Sequence, residues 1–297
     1  TRIVQTYPLS AHSVINREVR DIIELNADYM LVGTFNGLYR LHKRTFQAIV
    51  EEGELGEKGA LNHYSIYSLY KDSQGIIWVG TYAGGVNYSH SYNQRFQYFA
   101  PPHFSGRISM AREDGKGNIW FGTEGNGLLC HNAGTDKIVQ YWLEGKGRHY
   151  SDNIIKSICI AGDTIMCGNW RGEVYLYSIK KNSFTLYKAY ERNNVLYIYR
   201  DSRQNWWVSI QDYGVVCIGD DSIKFPSSNF IQEIRPGILV FATQKEGLYI
   251  YDLKRGQVRS VGSEELGMSK DQSISVTSFY QDTDRNLWLT TENSGVL

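Results

Sequence analysis

The stretch DSQGIIWVGTYAGGVNY (72–88) decides the fold. Asp72-Ser-Gln-Gly75 is a run of turn formers, and Ile76 to Thr81 is a short, nearly continuous apolar segment. A glycine-containing loop follows, and a second alternating segment starts at Gly85. Side chains of Asp and Ser satisfy turn backbone, and Gly accepts the turn dihedrals. A six-residue apolar run between such turns suits a strand buried on both faces. The stretch therefore reads as two antiparallel strands, and the alternating Ile66-Tyr-Ser-Leu-Tyr70 before it as a third.

The same pattern recurs along the chain. Close copies are ISMAREDGKGNIWFGTEGNGLLC (108–130), VLYIYRDSRQNWWVSIQDYGVVC (195–217) and VTSFYQDTDRNLWLTTENSGVL (276–297), beside IYSLYKDSQGIIWVGTYAGGVNY (66–88). Weaker copies lie at 19–40, 155–177 and 231–251. One glycine marks each copy: Gly37, Gly85, Gly127, Gly172, Gly214, Gly247 and Gly295. Gly37 and Gly295 are six repeats apart, which gives about 43 residues per repeat, the length of a four-stranded propeller blade.

Each repeat is expected to hold strands A, B and C, then a strand D in segments such as Phe96–Phe99, Ile138–Trp142 and Phe184–Tyr187. No segment shows a helical period over several turns. The expected fold is all-β, a single seven-bladed β-propeller over 1–297 with four-stranded antiparallel blades. The seventh repeat stops at Leu297 in strand C, so residues 1–7, which resemble a D strand, are expected to close the ring.

Composition narrows the function. The 297 residues carry 31 Lys+Arg against 31 Asp+Glu, which argues against a nucleic-acid-binding surface. No apolar run approaches the ~20 residues that span a bilayer. The chain begins with Thr and has no basic-then-apolar leader, so it reads as a piece of a longer protein. Cys130, Cys159, Cys167 and Cys217 form no C-x-x-C pair and read as small buried hydrophobes, with a Cys159–Cys167 bridge left open.

The pattern D-x-x-G-x-[IL]-W-[VF]-G-T-x-x-G-G-[VL] resembles the two-component regulator propeller repeat, most closely at 72–88. The resemblance covers essentially the whole chain. It implies the periplasmic sensor region of a hybrid histidine kinase from a polysaccharide-degrading bacterium. Such sensors continue into a second propeller, a β-sandwich, a membrane helix and the kinase, and a homodimer is implied. Repeats one, four and six depart from the pattern, with Leu31, Met166 and Leu239 near the place of the Trp, and repeat six has a short hairpin at Arg235-Pro236-Gly237.

The repeated residues read as structural. Asp72, Asp114, Asp201 and Asp282 are expected to accept turn backbone N–H groups. Asp282-Thr-Asp284-Arg-Asn286 opens like a calcium loop but has Leu287 where Gly belongs and Asn293 where Glu belongs, so no metal is expected. Trp78, Trp120, Trp207 and Trp288 are expected between blades. No cofactor is expected, since no phosphate-binding fingerprint accompanies the glycines.

Loops between strands B and C should emerge on one face. They hold Phe35, Tyr82, Glu124, Asn169, Trp170, Arg171, Gln211, Asp212, Tyr213, Gln244, Lys245, Glu246 and Glu292. Aromatic faces beside planar hydrogen-bonding groups suit a sugar, which has apolar C–H faces and a belt of hydroxyls. From this set Tyr82, Glu124, Asn169, Trp170, Arg171, Gln211, Asp212, Tyr213, Lys245, Glu246 and Glu292 are the candidate ligand residues, with Trp170 foremost. His63, Tyr64, His103, Phe104, His149 and Tyr150 of the D–A connections should overhang the same face. The expected function is recognition of an oligosaccharide, with no catalytic residue. Two alternatives stand beside it: a glycan-processing enzyme, which needs two carboxylates at about 5–10 Å, and a structural propeller that binds nothing itself.

Overall fold

The structure is a computed structural model that describes residues 18–51, 59–90, 97–99, 107–143, 153–190, 193–269 and 273–297. All regular elements among the described residues are β-strands. Among the described residues no helix is long and apolar enough to cross a membrane.

The first sheet comprises β1 (Val19–Glu24), β2 (Tyr29–Thr34), β3 (Gly37–His42) and β4 (Ala48–Val50). The second comprises β5 (Ile66–Lys71), β6 (Ile76–Thr81), β7 (Val86–His90) and β8 (Gln97–Phe99). The third holds β9 (Arg107–Glu113), β10 (Ile119–Glu124), β11 (Leu128–Asn132) and β12 (Lys137–Tyr141). The fourth holds β13 (Ile155–Ala161), β14 (Thr164–Asn169), β15 (Glu173–Ser178) and β16 (Ser183–Ala189). The fifth holds β17 (Val195–Arg200), β18 (Trp206–Ile210), β19 (Gly214–Cys217) and β20 (Asp220–Phe225). The sixth holds β21 (Ser228–Arg235), β22 (Ile238–Thr243), β23 (Leu248–Asp252) and β24 (Gln257–Val261). The last sheet has two strands, β25 (Val276–Gln281) and β26 (Leu287–Thr291).

The all-β expectation holds, and the strand order A-B-C-D is followed in every four-stranded sheet. The expectation of seven four-stranded blades is corrected to six. The seventh repeat forms only the β25–β26 pair, and its third segment is reduced to one bridge, Thr290 to Val296. The closing strand assigned to residues 1–7 lies outside the described residues. The first strand of the sixth sheet, β21, carries two register shifts, between Ser228 and Phe230 and between Glu233 and Arg235.

The chain divides into two compact units, Thr1–Val50 with Leu196–Leu297, and Glu51–Val195. In the first unit Val19, Ile22, Met30, Val32, Tyr39, Leu41, Trp288 and Val296 form one core between the first sheet and β25–β26. In the second unit Trp78 and Val86 pack against Ile108, Ala111, Ile119, Phe121 and Leu129. B strands are buried almost throughout, as in the pattern of β10, while outer D strands such as β16 are exposed beyond their first two residues. A strand covered by sheets on both faces has no room for alternation, and this accounts for the apolar run that marks each repeat.

Two local devices set the spacing between neighbouring sheets. Six of the A strands carry a register shift near their start, between Val19 and Asp21, Ile66 and Ser68, Ile155 and Ser157, Ser228 and Phe230, Val276 and Ser278, and opposite Gly122/Thr123. Such a bulge re-aims one side chain. Ser109 Oγ donates to the Ile155 carbonyl at 2.6 Å, Asn229 Nδ2 to that of Val276 at 3.0 Å, and Thr277 Oγ1 to that of Val19 at 2.6 Å. Each latches one sheet to the first strand of the next. The second device is a clasp at the opposite end: Ser73 binds Glu113 through its N–H and hydroxyl at 2.9 and 2.6 Å, and Ser202 binds Glu233 likewise at 2.7 and 2.7 Å.

Candidate functional site

The B–C loops are built by a threonine at the end of strand B or, in β10, one residue before it. Thr81, Thr123, Thr243 and Thr291 each donate the side-chain hydroxyl to the carbonyl of the recurrent Gly and accept a loop N–H, from Gly84, Asn126, Glu246 and Ser294. The recurrent glycine is required. At Gly127 φ is 69°, and a Cβ would stand 2.3 Å from the Tyr141 carbonyl oxygen. The loop residue after Thr81 is tied back to strand A, with Tyr82 N–H donating to the Ser65 carbonyl at 3.0 Å. Rigid loops thus present side chains at one end of each sheet.

In the second unit these side chains converge on Glu124. This residue, expected on an open loop, is the last residue of β10 and is buried. Its partners come from three A strands. Arg107, opposite it in the β9–β10 ladder, donates from Nη1 to Oε2 at 3.1 Å. Lys156, the bulge residue of β13, binds Oε1 through Nζ. Tyr67, the bulge residue of β5, donates its hydroxyl to the same oxygen at 3.5 Å. The Arg107 guanidinium lies 3.3 Å from the centre of the Tyr82 ring and also binds its hydroxyl. His63 continues the stack, 6.4 Å from Tyr82 and 4.9 Å from Tyr64, whose ring is 52% exposed.

The electrostatics follow from this packing. Burial alone would lower the Lys156 ammonium, but Tyr67 and then Glu124 beside it outweigh that and raise it above its ordinary value. Lys156 therefore carries its charge throughout the physiological range. Side-chain exposures of 31% for Arg107 and 23% for Lys156 leave both cations partly open to solvent, while Glu124 at 8% is enclosed.

The other candidates separate by role. Asn169 is buried at the end of β14, where Oδ1 accepts from Arg171 N and Glu173 N at 3.0 and 2.8 Å, so its side chain caps the loop. Trp170 is 39% exposed with the Arg171 guanidinium 5.6 Å from its ring. In the first unit Tyr213 is 46% exposed with Lys224 Nζ 4.0 Å from its ring centre, and Asp212 before it takes a φ of 56°. Glu246 accepts from the Tyr249 hydroxyl at 2.5 Å, a bond that, with burial, pushes the phenol up to about 12. Lys245 and Glu292 are exposed, and Gln211 is half-buried. His103, Phe104, His149 and Tyr150 lie outside the described residues.

The repeated Asp residues do more than the turn role read from the sequence. Asp72 Oδ1 accepts from Gln74 N and Ile76 N, while Oδ2 accepts the Trp78 indole N–H at 2.8 Å. In Asp282, the oxygens of the calcium-like loop accept from the Trp288 indole and from Asn286. Among the described residues no group of three His, Cys, Asp or Glu could hold a metal ion. All four cysteines are free thiols. Cys159 and Cys167 pair across the hairpin with Met166 and Ile158, so they alternate to opposite faces.

This is a protein of repeated four-stranded blades with aromatic and charged loops at one end of each unit. A family model described as the two-component regulator propeller matches it at residues 60–83 and 270–293. Among solved structures it is similar to the extracellular domain of the putative hybrid two component system BT3049 from B. thetaiotaomicron, with a TM-score of 0.76 and 18% identity over 95% of this chain and 39% of that one. It is similar to the extracellular domain of the putative one component system BT4673 from the same organism, at 0.75 and 17% over 99% and 40%. A computationally designed protein, Ika8, shares the fold at 0.64 and 13% over 94% and 95%. The chain thus spans about 40% of the length of the natural extracellular domains it matches. No curated protein matches it in sequence.

Proposed function

We propose that the chain is the ligand-sensing portion of a periplasmic sensor and that it recognises an oligosaccharide at the Tyr82–Arg107–Glu124–Lys156 cluster. The observation that carries this reading is the run of ring contacts Tyr64–His63–Tyr82, continued by Arg107 over Tyr82 and ending on a buried carboxylate. Aromatic faces supply apolar contact for sugar rings, and a few fixed polar groups supply orientation, the usual composition of a small-molecule site. A buried carboxylate held by two cations is costly to assemble and is weak support for stability alone. A place for it in binding accounts for its retention.

The two-component regulator propeller repeats support a sensor that controls a histidine kinase across the membrane as a dimer. The ligand can bias such a sensor only by its difference in affinity for the two signalling states. An enzymatic role is less favoured by the same geometry: both Glu124 oxygens are engaged by Arg107, Lys156 and Tyr67, which leaves neither to attack or protonate a glycosidic bond.

Titration calorimetry of the chain with a panel of defined hexasaccharides tests the reading. A saturable heat from at least one member, weakened tenfold or more by Tyr82→Ala, is expected. Unchanged affinity in that variant would move the site elsewhere. A panel that produces no heat, with the chain folded, would favour a structural role.

A further inference from the structure

Among the described residues three charged side chains meet at the cluster, and they do not balance. Arg107 and Lys156 bring two positive charges to the single carboxylate of Glu124. Both cations keep a solvent-facing portion, whereas the carboxylate is enclosed beneath them. The surplus charge is therefore presented outward and the compensating charge inward. Next to it stand two phenol rings, Tyr82 under the guanidinium and Tyr67 with the Lys156 ammonium 6.0 Å from its ring centre.

Resting on the oligosaccharide reading above, we propose that this cluster selects an anionic sugar, one carrying a carboxylate or sulfate, which docks its charged group against Lys156 and Arg107. A guanidinium offers paired N–H donors that match the oxygens of either anion, and the ammonium adds a point charge beside it. Glu124 acts as the positioning residue. It draws the two cations together and leaves one net positive charge for the ligand. Tyr64, at the exposed end of the stack, offers a ring face to an adjacent neutral sugar unit.

Other polar and aromatic clusters join sheets or fill cores. The buried Lys43–Glu24 pair with Thr283, and the Ser73–Glu113 and Ser202–Glu233 clasps, join neighbouring sheets on the side of the A–B turns. The Tyr141–Tyr177–Phe184 rings pack within the second unit.

The test is calorimetry of the full chain with three hexasaccharides: oligogalacturonate for carboxylate, a carrageenan oligomer for sulfate, and cellohexaose as a neutral probe. At least one anionic probe should bind tenfold or more tightly than cellohexaose, with affinity that falls as salt rises. The carboxylate and sulfate arms identify which anion is read. Lys156→Met keeps the Arg107–Glu124 pair, so the carboxylate stays compensated and the fold is retained. It should weaken anionic binding at least tenfold. Glu124→Gln removes the carboxylate that draws the two cations together and should weaken anionic binding as well, with a steeper dependence of the residual affinity on salt because one more positive charge is uncompensated. Anionic affinity unchanged in folded Lys156→Met would overturn the proposal. Cellohexaose binding as tightly as the anions would overturn the charge selection while sparing oligosaccharide recognition. Absence of binding by all three would overturn both.

Discussion

Trp78 donates its indole N–H to Asp72 Oδ2 at 2.8 Å, six residues back along the chain, and both side chains are buried. The same bond joins Trp120 to Asp114 at 2.8 Å, Trp207 to Asp201 at 2.9 Å and Trp288 to Asp282 at 2.8 Å. One carboxylate thus closes the A–B turn through its first oxygen and fixes the inter-sheet Trp through its second. This is the reason the repeat needs Asp and Trp at that spacing.

Replacing Asp72 by Ala should therefore remove the acceptor of two turn N–H groups and one buried indole N–H at once. An unpaired buried donor costs about 1–3 kcal/mol, so a loss of about 2–3 kcal/mol is expected. Urea unfolding followed by near-ultraviolet circular dichroism, which reports on Trp packing, checks it. A loss within 0.5 kcal/mol, on the order of a neutral surface change, would refute the shared role.

Acid should act on the same bonds. Burial works to raise Asp114 and Asp282, but the indole and Asn donors with backbone N–H groups outweigh it and hold both carboxyls below their ordinary 3.8. A folded value below the unfolded one means the unfolded chain binds more protons in acid. The stability these groups supply is present above about pH 4 and is lost as pH falls through their folded values. Asp114→Asn should show a shallower fall of stability on acidification below pH 4. Identical slopes for variant and parent would contradict the assignment.

Close approach of neighbouring sheets depends on small residues in strand B. A Cβ at Gly80 would lie 2.4 Å from Ser68 Oγ and 2.9 Å from Ile108 Cβ. Gly80→Ala should cost about 1–3 kcal/mol as the sheets are pushed apart. Gly115, with open space around it, is the control, and Gly115→Ala should stay within about 0.5 kcal/mol. Thermal unfolding of the two variants side by side decides the matter.

Thiol chemistry should single out one cysteine. Burial pushes Cys130 up to about 12 and Cys217 to about 11, and raises Cys167 as well. The thiolate is the reactive form, so these three should resist iodoacetamide at pH 8 in the folded chain. Cys159, which is half-buried, should label first. Mass spectrometry of the labelled peptides checks this, and rapid modification of Cys167 would contradict its burial.

Much of this architecture is legible in the sequence, because each A strand and each recurrent Gly is written locally. Val19, Ile66, Ile155, Val195 and Val276 begin strands where the repeat pattern places them. The blade count is not legible in the same way. Whether Gly295-Val-Leu297 forms a strand or a single bridge depends on partners supplied by other segments. The site was half legible. Tyr82 and Glu124 stand in the loop pattern, but Arg107, Lys156 and Tyr67 were not singled out. Lys156 and Tyr67 reach Glu124 because bulges turn these A-strand side chains toward a neighbouring sheet, whereas Arg107 faces it across the β9–β10 ladder; a charged residue near the start of an otherwise apolar strand, as in Arg107-Ile-Ser or Ile155-Lys-Ser, is the signal that marks the two cations. Asn169 misled for the opposite reason, since a loop-type residue spends its hydrogen bonds on its own loop.

The central claim, that an oligosaccharide is recognised at the Arg107–Glu124–Lys156 cluster, is tested most directly by a crystal structure of the chain soaked with the tightest-binding member of the hexasaccharide panel. The account predicts sugar density with oxygen atoms within hydrogen-bond reach of Arg107 and Lys156 and a ring face against the Tyr64–Tyr82 stack. A fully occupied oligosaccharide seated elsewhere, with this cluster unchanged and in contact only with solvent, would contradict it.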